Sequence, residues 1–277
     1  MLTKAGDALE AAFQKWNNKR HWNVLRDTTT VITVAPFDVV SCTTTSGSTT
    51  VTSASLQGVL AGDLVSGTGI RPEAYVVSID TTPSPDTMEL SHAASASGTV
   101  TLTFSRRDYA VPTNFKYVYN VRIPSHSLTL RPVHSRLYDA LDPDQSNVDM
   151  PLWYDLYPLG ATGKIRFHPT PNAEYSVVIK YNRRLTVPSV DGTALDIPID
   201  WEWGLLAEAK SLFLTDKVGY ETQAGKWDQV AAVALNDAVR ADAKHPDMDE
   251  GFLPGYLNRG VSSSPGSIID DFRWGFD

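Results

Sequence analysis

The first part of the chain shows the hydrophobic spacing of an amphipathic helix. Its large apolar residues recur at spacings of seven, four and three on one helical face: Leu2, Leu9, Phe13 and Trp16. The pattern continues less regularly to Leu25. We therefore predict a helix over residues 1–26, ended by the threonines at 28–30, and a short strand over residues 31–34.

Residues 40–105 have a different pattern, in which short apolar alternations are separated by Ser, Thr, Gly and Pro. The clearest is at residues 99–104, where Val100, Leu102 and Phe104 alternate with threonines. The strands predicted in this segment cover residues 49–52, 75–79, 88–90 and 99–104. They indicate a small all-β insert of sandwich or barrel type. A disordered Ser/Thr-rich linker is the alternative, and the regular apolar alternation argues against it.

A second β region follows over residues 106–185. Every second residue in its longest runs is aromatic or aliphatic, which predicts strands with one packed face. The predicted strands cover residues 115–123, 128–130, 165–167 and 175–181. The Pro-Thr-Pro-Asn sequence at residues 169–172 is typical of a turn, so we expect residues 165–181 to form a hairpin.

Residues 200–244 return to helical spacing and predict a helix pair. The first apolar stripe comprises Trp201, Leu205, Ala209, Leu212 and Phe213. The second comprises Trp227, Val230, Ala231, Ala234 and Ala238. Gly219 separates the two helices, and Asp200 is the expected N-cap of the first. We expect the two helices to be antiparallel, with the N-terminal helix as a third member of the bundle.

The last segment, residues 251–277, has little helical or strand periodicity. A flexible stem rich in Ser, Pro and Gly over residues 261–267 leads to an apolar tip. The candidate partner-binding residues of this arm are Ile268, Ile269, Phe272, Arg273, Trp274 and Phe276. Aromatic side chains often provide most of the binding energy when they enter pockets of a partner. Docking on a neighbour is therefore favoured over folding back onto the same chain.

The charge balance and the cysteine count narrow the possible partners. The formal net charge is -8 and the sequence pI is 5.2, whereas a broad nucleic-acid-binding surface needs clustered Lys and Arg. Cys42 is the only cysteine, which excludes an intrachain disulfide and favours folding in a cytoplasm. No apolar run approaches the roughly 20 residues of a membrane span.

We find no pattern typical of catalysis, of a metal site or of a cofactor. The sequence lacks a Gly-rich phosphate loop and a His-Glu-x-x-His helix, and its histidines never lie at metal-ligand spacing. The acidic stretch at residues 142–146 begins like a calcium loop, but Asn147 and Trp153 replace the required Gly and Glu. We therefore predict a protein that is not an enzyme and has no catalytic residues, metal or cofactor.

An ordered series of short motifs is more specific than any one of them. The motifs are Trp22-Asn23-Val24-Leu25, Tyr109-Ala110-Val111-Pro112-Thr113-Asn114-Phe115, Leu130-Arg131-Pro132-Val133, Ile165-Arg166-Phe167-His168-Pro169-Thr170-Pro171 and Leu195-Asp196-Ile197-Pro198. In this order, followed by a helix pair, they resemble head-to-tail connector proteins of tailed bacteriophages, also called adaptors or tail tubular proteins. Val111 and Asn114 depart from that pattern, in which a leucine and an acid are usual. The resemblance covers residues 1–38 and 106–245.

The resemblance implies an α+β fold in three parts. An adaptor core over residues 1–39 and 106–250 combines a helical bundle, made of the N-terminal helix and the C-terminal helix pair, with an antiparallel β domain. Residues 40–105 are similar to small Ig-like β modules that recur as insertions in phage virion proteins. Residues 251–277 would form an extended C-terminal arm.

The resemblance also implies a virion protein, made in the host cytoplasm and located at the head–tail interface. Its copies would form a homo-oligomeric ring, commonly a dodecamer, beneath the portal protein, and this ring would continue the DNA channel. The implied partners are the portal protein, clamped by the arm, a downstream tail component such as a nozzle or tail tube, and passing DNA without specific binding. No membrane is involved.

Two other functions are alternatives. A tail-fibre or spike module that recognises host-surface glycan would fit the β insert and the seven tryptophans. Against it, Trp201 and Trp227 lie on apolar helical stripes, and no internal repeat is present. An unrecognised hydrolase would need catalytic residues that only the fold brings together. A fibre module would form trimers that bind glycan, whereas a hydrolase would be active as a monomer.

Overall fold

The computed structural model describes residues 2–82, 84–143, 146–156, 163–187 and 197–243. Within these ranges the fold is mixed α+β, with three long helices and mostly antiparallel sheets. The helices are α1 (Leu2–Lys19), α2 (Ser135–Leu141), α3 (Ile199–Thr215) and α4 (Glu221–Ala243). The strands are β1 (Arg26–Ile32), β2 (Phe37–Thr44), β3 (Thr50–Ser53), β4 (Leu64–Gly67), β5 (Val76–Asp80), β6 (Asp86–Leu90), β7 (Gly98–Ser105), β8 (Asp108–Ala110), β9 (Phe115–Ile123), β10 (Leu128–Thr129), β11 (Arg131–Pro132), β12 (Val148–Asp149), β13 (Trp153–Asp155), β14 (Lys164–His168), β15 (Thr170–Pro171) and β16 (Ser176–Arg183).

The chain divides into two compact units. Of the described residues, 2–12 and 197–243 form the helical unit. Residues 13–196 form the β unit, which contains every strand named above. The boundary falls inside α1, so this helix contributes its first part to one unit and its last part to the other.

Two four-stranded sheets form the centre of the β unit. Their strand orders are β1-β16-β9-β10 and β11-β13-β14-β8. One apolar core contains buried side chains from both sheets, among them Val121, Ile123, Ile165, Phe167 and Ile179. The apolar alternation in the sequence reflects this core, because alternate side chains of a strand enter it. A short two-stranded sheet, β12-β15, adds a parallel pair.

The prediction that all aromatic residues of β9 share one packed face is wrong. Tyr117 is exposed and Val118 is buried. Opposite β16, the pairing of β9 shifts register twice, between Lys180 and Tyr181 and between Asn182 and Arg183. Each shift adds an extra residue to one strand and moves the following side chains to the other face.

The N-terminal helix is shorter than predicted. Helix α1 ends at Lys19, and the threonines at 28–30 lie within β1 instead of ending a helix. Strand β1 pairs antiparallel with β16 from Arg26 to Ile32. Thr is β-branched and favours extended backbone in a sheet, which explains why the strand extends through these residues.

The predicted hairpin over residues 165–181 is also wrong. Strand β14 pairs with β13 and β8, whereas β16 pairs with β1 and β9 in the other sheet. The turn between them therefore passes the chain from one sheet to the next. Both strands find longer-range partners, and local sequence cannot indicate such pairings.

Residues 37–105 form a six-stranded sheet of their own, in the order β4-β7-β2-β3-β6-β5. A bridge between Leu64 and Tyr75, and a hydrogen bond of 2.8 Å from Val65 N to Ala74 O, join its two end strands. The sheet thus closes around a small core that includes Cys42, Met88, Leu102 and Phe104. This matches the barrel alternative. The predicted Ig-like module is not confirmed, because an Ig sandwich packs two sheets and these six strands belong to one.

In the helical unit, α3 and α4 pack as the predicted pair. The Ser211 hydroxyl donates to the Ala224 carbonyl at 3.1 Å across them. The Lys4 ammonium of α1 lies 2.9 Å from the Asp216 carboxylate at the end of α3. The prediction that Asp200 is the N-cap is wrong. Pro198 occupies the N-cap position, and α3 begins at Ile199. Asp200 instead lies in the first turn of α3, where its negative charge interacts favourably with the positive end of the helix dipole.

Candidate docking surfaces

The arm that was predicted to bind a partner lies outside the described residues. This applies to all six of its candidate residues: Ile268, Ile269, Phe272, Arg273, Trp274 and Phe276. In the described part of the chain, the helical unit presents a different apolar surface.

This surface, which we call the helix-pair face, consists of five solvent-exposed apolar side chains of α3 and α4. They are Ile199, Trp203, Leu206, Val230 and Val233. The spacing of four and three residues on α3 places the first three on one side of that helix. Trp203 is 58% exposed and Val233 is 62% exposed. Exposed apolar side chains that share one side of a helix, as these three of α3 do, mark an interaction site more often than isolated exposed residues do.

Two indole rings connect the helices across this face. The ring centroids of Trp203 and Trp227 lie 5.7 Å apart, with 64° between their planes, close to the edge-to-face geometry that aromatic pairs favour. The Lys210 ammonium lies 3.8 Å from the centre of the Trp227 ring, a cation–π contact. These contacts restrain Trp203 while much of its surface stays exposed.

The sequence prediction missed the helix-pair face because it assigned only one apolar stripe to α3. Trp201 and Leu205 from that stripe are buried, as predicted. On α4, the buried side of the helix differs from the predicted apolar stripe. Val230, which was placed in that stripe, is exposed, and Leu235, which was not, is buried. The i, i+4, i+7 spacing of Ile199, Trp203 and Leu206 is itself a helical apolar signal. A helix with apolar residues on two sides needs a second partner.

A buried ion pair joins the insert to Arg106, the residue that directly follows it. Asp63, in the turn before β4, binds Arg106, the residue after β7, through both carboxylate oxygens at 2.7 and 2.8 Å. Arg106 also donates to the Gly58 carbonyl at 2.8 Å, and Asp63 accepts the Leu60 N–H at 2.8 Å. The Asp63 side chain is 2% exposed and that of Arg106 is 14% exposed. A bidentate ion pair with so little solvent exposure sets the orientation of the guanidinium.

Tyr109 connects both chain segments that enter and leave the insert. Its hydroxyl donates to the Arg106 carbonyl at 3.1 Å and accepts the Val34 N–H at 3.0 Å. Burial raises the pKa of Tyr109 to about 12, so the hydroxyl remains protonated and able to donate at neutral pH. The stem of the insert is therefore fixed by side chains of the β unit as well as by the backbone.

The β core contains a second buried ion pair beside a buried histidine. Arg166 binds Asp108 at 2.6 and 2.9 Å across strands β14 and β8. His168 is 2% exposed. Burial, and then the charges of Arg166 and Arg107, lower its pKa to about 3. The imidazole is therefore neutral in the folded protein near neutral pH, as expected for a core residue.

The side chain of Asp142, at the start of the acidic stretch, binds the backbone of nearby residues. The Asp142 carboxylate accepts the N–H groups of Ser146 and Asn147 at 3.2 and 3.3 Å, a turn-capping arrangement. In the described ranges, no three His, Cys, Asp or Glu side chains come together as a metal site requires. Among the helices of those ranges, none combines the length and apolarity of a membrane span.

The comparison with known protein families bears on both units. The model of the SU10 adaptor protein family matches residues 86–251, which is more than half of the chain. The matched segment includes the Leu130–Val133 motif, strands β14 and β16, and the helix pair. Among curated proteins, none matches the chain. Given the extent of the family match, this chain belongs to the SU10 adaptor protein family, a family of bacteriophage structural adaptors.

Proposed function

We propose that this chain is a structural protein of the phage virion that forms a ring beneath the portal, joins head to tail and continues the DNA channel. Membership of an adaptor family supports an assembly role. The observation that carries the ring is the helix-pair face, an exposed apolar surface built around Trp203. The role is structural and needs no catalytic residue.

The occupant of the helix-pair face is a second copy of the chain. In a ring, each subunit contacts the next through two different surfaces, and rotation closes the assembly. Trp residues often dominate the energy of such contacts when they are fully desolvated. Trp203 is suited to this because its ring is restrained by Trp227 in the single subunit, which lowers the entropy lost on binding.

A charge introduced on this face tests the ring. Trp203→Glu places a charge where the neighbouring copy would bury an apolar ring. Val218→Glu is the matched control, because Val218 is 97% exposed in the turn between α3 and α4 and lies outside the face. We expect the native chain and the control to assemble on the portal, as counted by mass photometry. Trp203→Glu should remain a folded monomer, with a melting temperature lowered only by the loss of the Trp203–Trp227 contact. A ring formed by folded Trp203→Glu protein would contradict this interface.

The other partners follow from the adaptor role. The portal protein lies on one side of the ring and a downstream tail component, a nozzle or tail tube, on the other. The ring has twelve copies, and DNA passes through it without sequence-specific binding. The arm at residues 251–277 clamps the portal, with Phe272, Trp274 and Phe276 as anchors. The apolar composition of the arm tip supports this assignment.

Two variants test the arm separately from the ring. A chain that ends at Ser264, and a full-length chain with Phe272→Ala, Trp274→Ala and Phe276→Ala, should each lose portal affinity by at least tenfold. Substituting the stem serines at 262–264 by alanine is the control and should leave portal binding unchanged. Native-like portal binding by both arm variants would discard the arm as the anchor and leave the ring proposal in place.

A further inference from the structure

Positive charge is concentrated in three segments of this acidic chain. Residues 11–26, 109–138 and 175–190 contain eleven Lys and Arg residues and no Asp or Glu, although the whole chain has 24 basic and 32 acidic residues. Strand β16 lies between β1 and β9 in one sheet, so pairing brings the third segment next to the second and next to Arg26, the last residue of the first. The net charge of the chain thus conceals a strongly basic region in the β unit.

Several basic residues of these segments lie where α1 ends, β9 begins and β16 ends. We call this the basic patch, and it comprises Lys19, Arg20, His21, Lys116, Tyr117 and Arg184. The Lys116 ammonium donates to the main-chain carbonyls of Asn17 and Arg20, the latter at 2.9 Å. The His21 and Tyr117 rings lie 4.6 Å apart. The Arg184 N–H donates to the Asn114 carbonyl at 2.6 Å, next to the start of β9.

The backbone of β9 places these side chains. Its register shift opposite Asn182 and Arg183 falls at Lys116, because Phe115 pairs with Arg183 and Tyr117 pairs with Asn182. A β-bulge of this kind redirects a side chain out of the regular alternation. The redirected Lys116 reaches the end of α1, and the Tyr117 ring remains 47% exposed.

The positive charges are close enough to affect one another. Burial, and then the charge of Arg184, lowers the pKa of Lys116. Burial, and then the charge of Lys116, lowers the pKa of His21. Lys19 and Arg184 are exposed, so an anion can approach these two positive groups, and the exposed His21 ring can donate a hydrogen bond in its neutral form.

We propose that the basic patch is a sequence-independent binding site for the phosphate groups of double-stranded DNA. Lys and Arg contribute the charge, and the Tyr117 hydroxyl and the His21 ring are additional hydrogen-bond donors of the kind that contact phosphates. Phosphate contacts position a protein on a duplex without reading its sequence. The identity of the nucleic acid rests on the proposed function, since DNA is the polyanion that passes an adaptor.

The rest of the chain explains why such a site would be local and weak. Affinity for DNA increases with the number of phosphates that are neutralised and decreases steeply with salt. A patch of a few cations in a chain of net charge -8 would hold a duplex briefly and release it. An acidic face of another subunit is the competing occupant. The proposed function favours DNA as the occupant, because it brings a duplex past every subunit, and a measured oligomer size distinguishes DNA from an acidic face.

The test uses the full chain and a labelled duplex of roughly 30 base pairs, with binding followed by fluorescence anisotropy between about 50 and 200 mM salt. The patch variant is Lys19→Glu with Arg184→Glu. Its control, Arg71→Glu with Arg240→Glu, reverses two exposed cations outside the patch and changes the net charge equally. Melting temperatures establish that both variants fold, and mass photometry of the same samples gives the oligomer size.

We expect salt-sensitive binding by the native chain and by the control, and a loss on the order of 100-fold at about 50 mM salt in the patch variant, as removal of two phosphate contacts predicts. No binding by the native chain, or equal binding by both variants, would overturn the proposal. So would a patch variant whose DNA binding falls only because its copies no longer associate, since that result assigns the patch to a contact between subunits. The Trp203→Glu experiment contains no DNA, so the two proposals can fail independently.

Discussion

At the scale of single residues, the β unit depends on polar groups that are buried in defined positions. His168 lies in the core beside the Arg166–Asp108 pair, and Asp63 holds Arg106 at the stem of the insert. Removing one member of a buried pair is costly because the other is left as a desolvated charge. These residues therefore give predictions with a definite sign.

The stability of the β unit should decrease in mild acid because of His168. Its folded pKa is about 3, below the value of about 6.5 for a solvated imidazole. As the pH falls below about 6.5, the unfolded chain takes up a proton that the folded chain does not, so the free energy of unfolding decreases by up to about 1.4 kcal/mol per pH unit. Above that pH the imidazole is neutral in both states and contributes no slope.

The variant His168→Asn removes this titration, and His92→Asn is the control because His92 is exposed. Denaturant unfolding between about pH 7 and pH 4.5 should show a smaller loss of stability in His168→Asn than in the native chain. The control should follow the native chain. Equal slopes for all three proteins would show that His168 is not neutral in the folded state.

Neutralising Asp63 should loosen the insert. Asp63→Asn keeps the shape of the side chain but leaves the Arg106 guanidinium buried without its counter-charge, which costs about 3–5 kcal/mol for a pair of this kind. Asp38→Asn is the control, because Asp38 is exposed and accepts a hydrogen bond from the Thr103 hydroxyl at 2.6 Å. Limited proteolysis should cleave residues 37–105 faster in Asp63→Asn than in the native chain, and at the native rate in Asp38→Asn.

At the scale of elements, the sequence predicted what depends on local periodicity. Strands β7 and β9 and the helix pair were recognised because their apolar residues repeat at periods of two or about 3.6. Strand β2 was missed because Ser41, with a positive φ of 58°, interrupts its alternation. Strand β4 has only four residues, and two of them are exposed. The partner of each strand depends on distant contacts, which explains the wrong hairpin.

The insert should be removable as one element. Phe37 and Phe104 are register partners at its base, so the chain enters and leaves the insert at neighbouring positions about 5 Å apart. Replacing residues 37–105 by a short Gly-Ser turn, with Arg106→Ser to avoid an unpaired guanidinium, should leave the two central sheets folded. A cooperative melting transition by circular dichroism would agree with this, and a molten or insoluble product would contradict it. The native chain is the reference, because Arg106→Ser alone would leave Asp63 buried without its partner.

At the scale of the whole molecule, the sequence predicts the class of protein but not the surfaces through which it would act. The motifs led to the phage adaptor family, and the family match agrees with that conclusion. The predicted arm residues lie outside the described residues, so their role is still a prediction. The helix-pair face and the basic patch were not predicted. The helix-pair face depends on which side of α3 is buried, and the basic patch depends on the bulge that redirects Lys116. Neither can be read from local sequence.

The most direct test of the central claim is to mix the full chain with its portal protein, image the complex by electron microscopy and count the rotational symmetry. The proposed function predicts a closed ring of twelve copies beneath the portal, in which the helix-pair face of each copy lies against its neighbour. A monomer or a trimer that does not associate with the portal would contradict it.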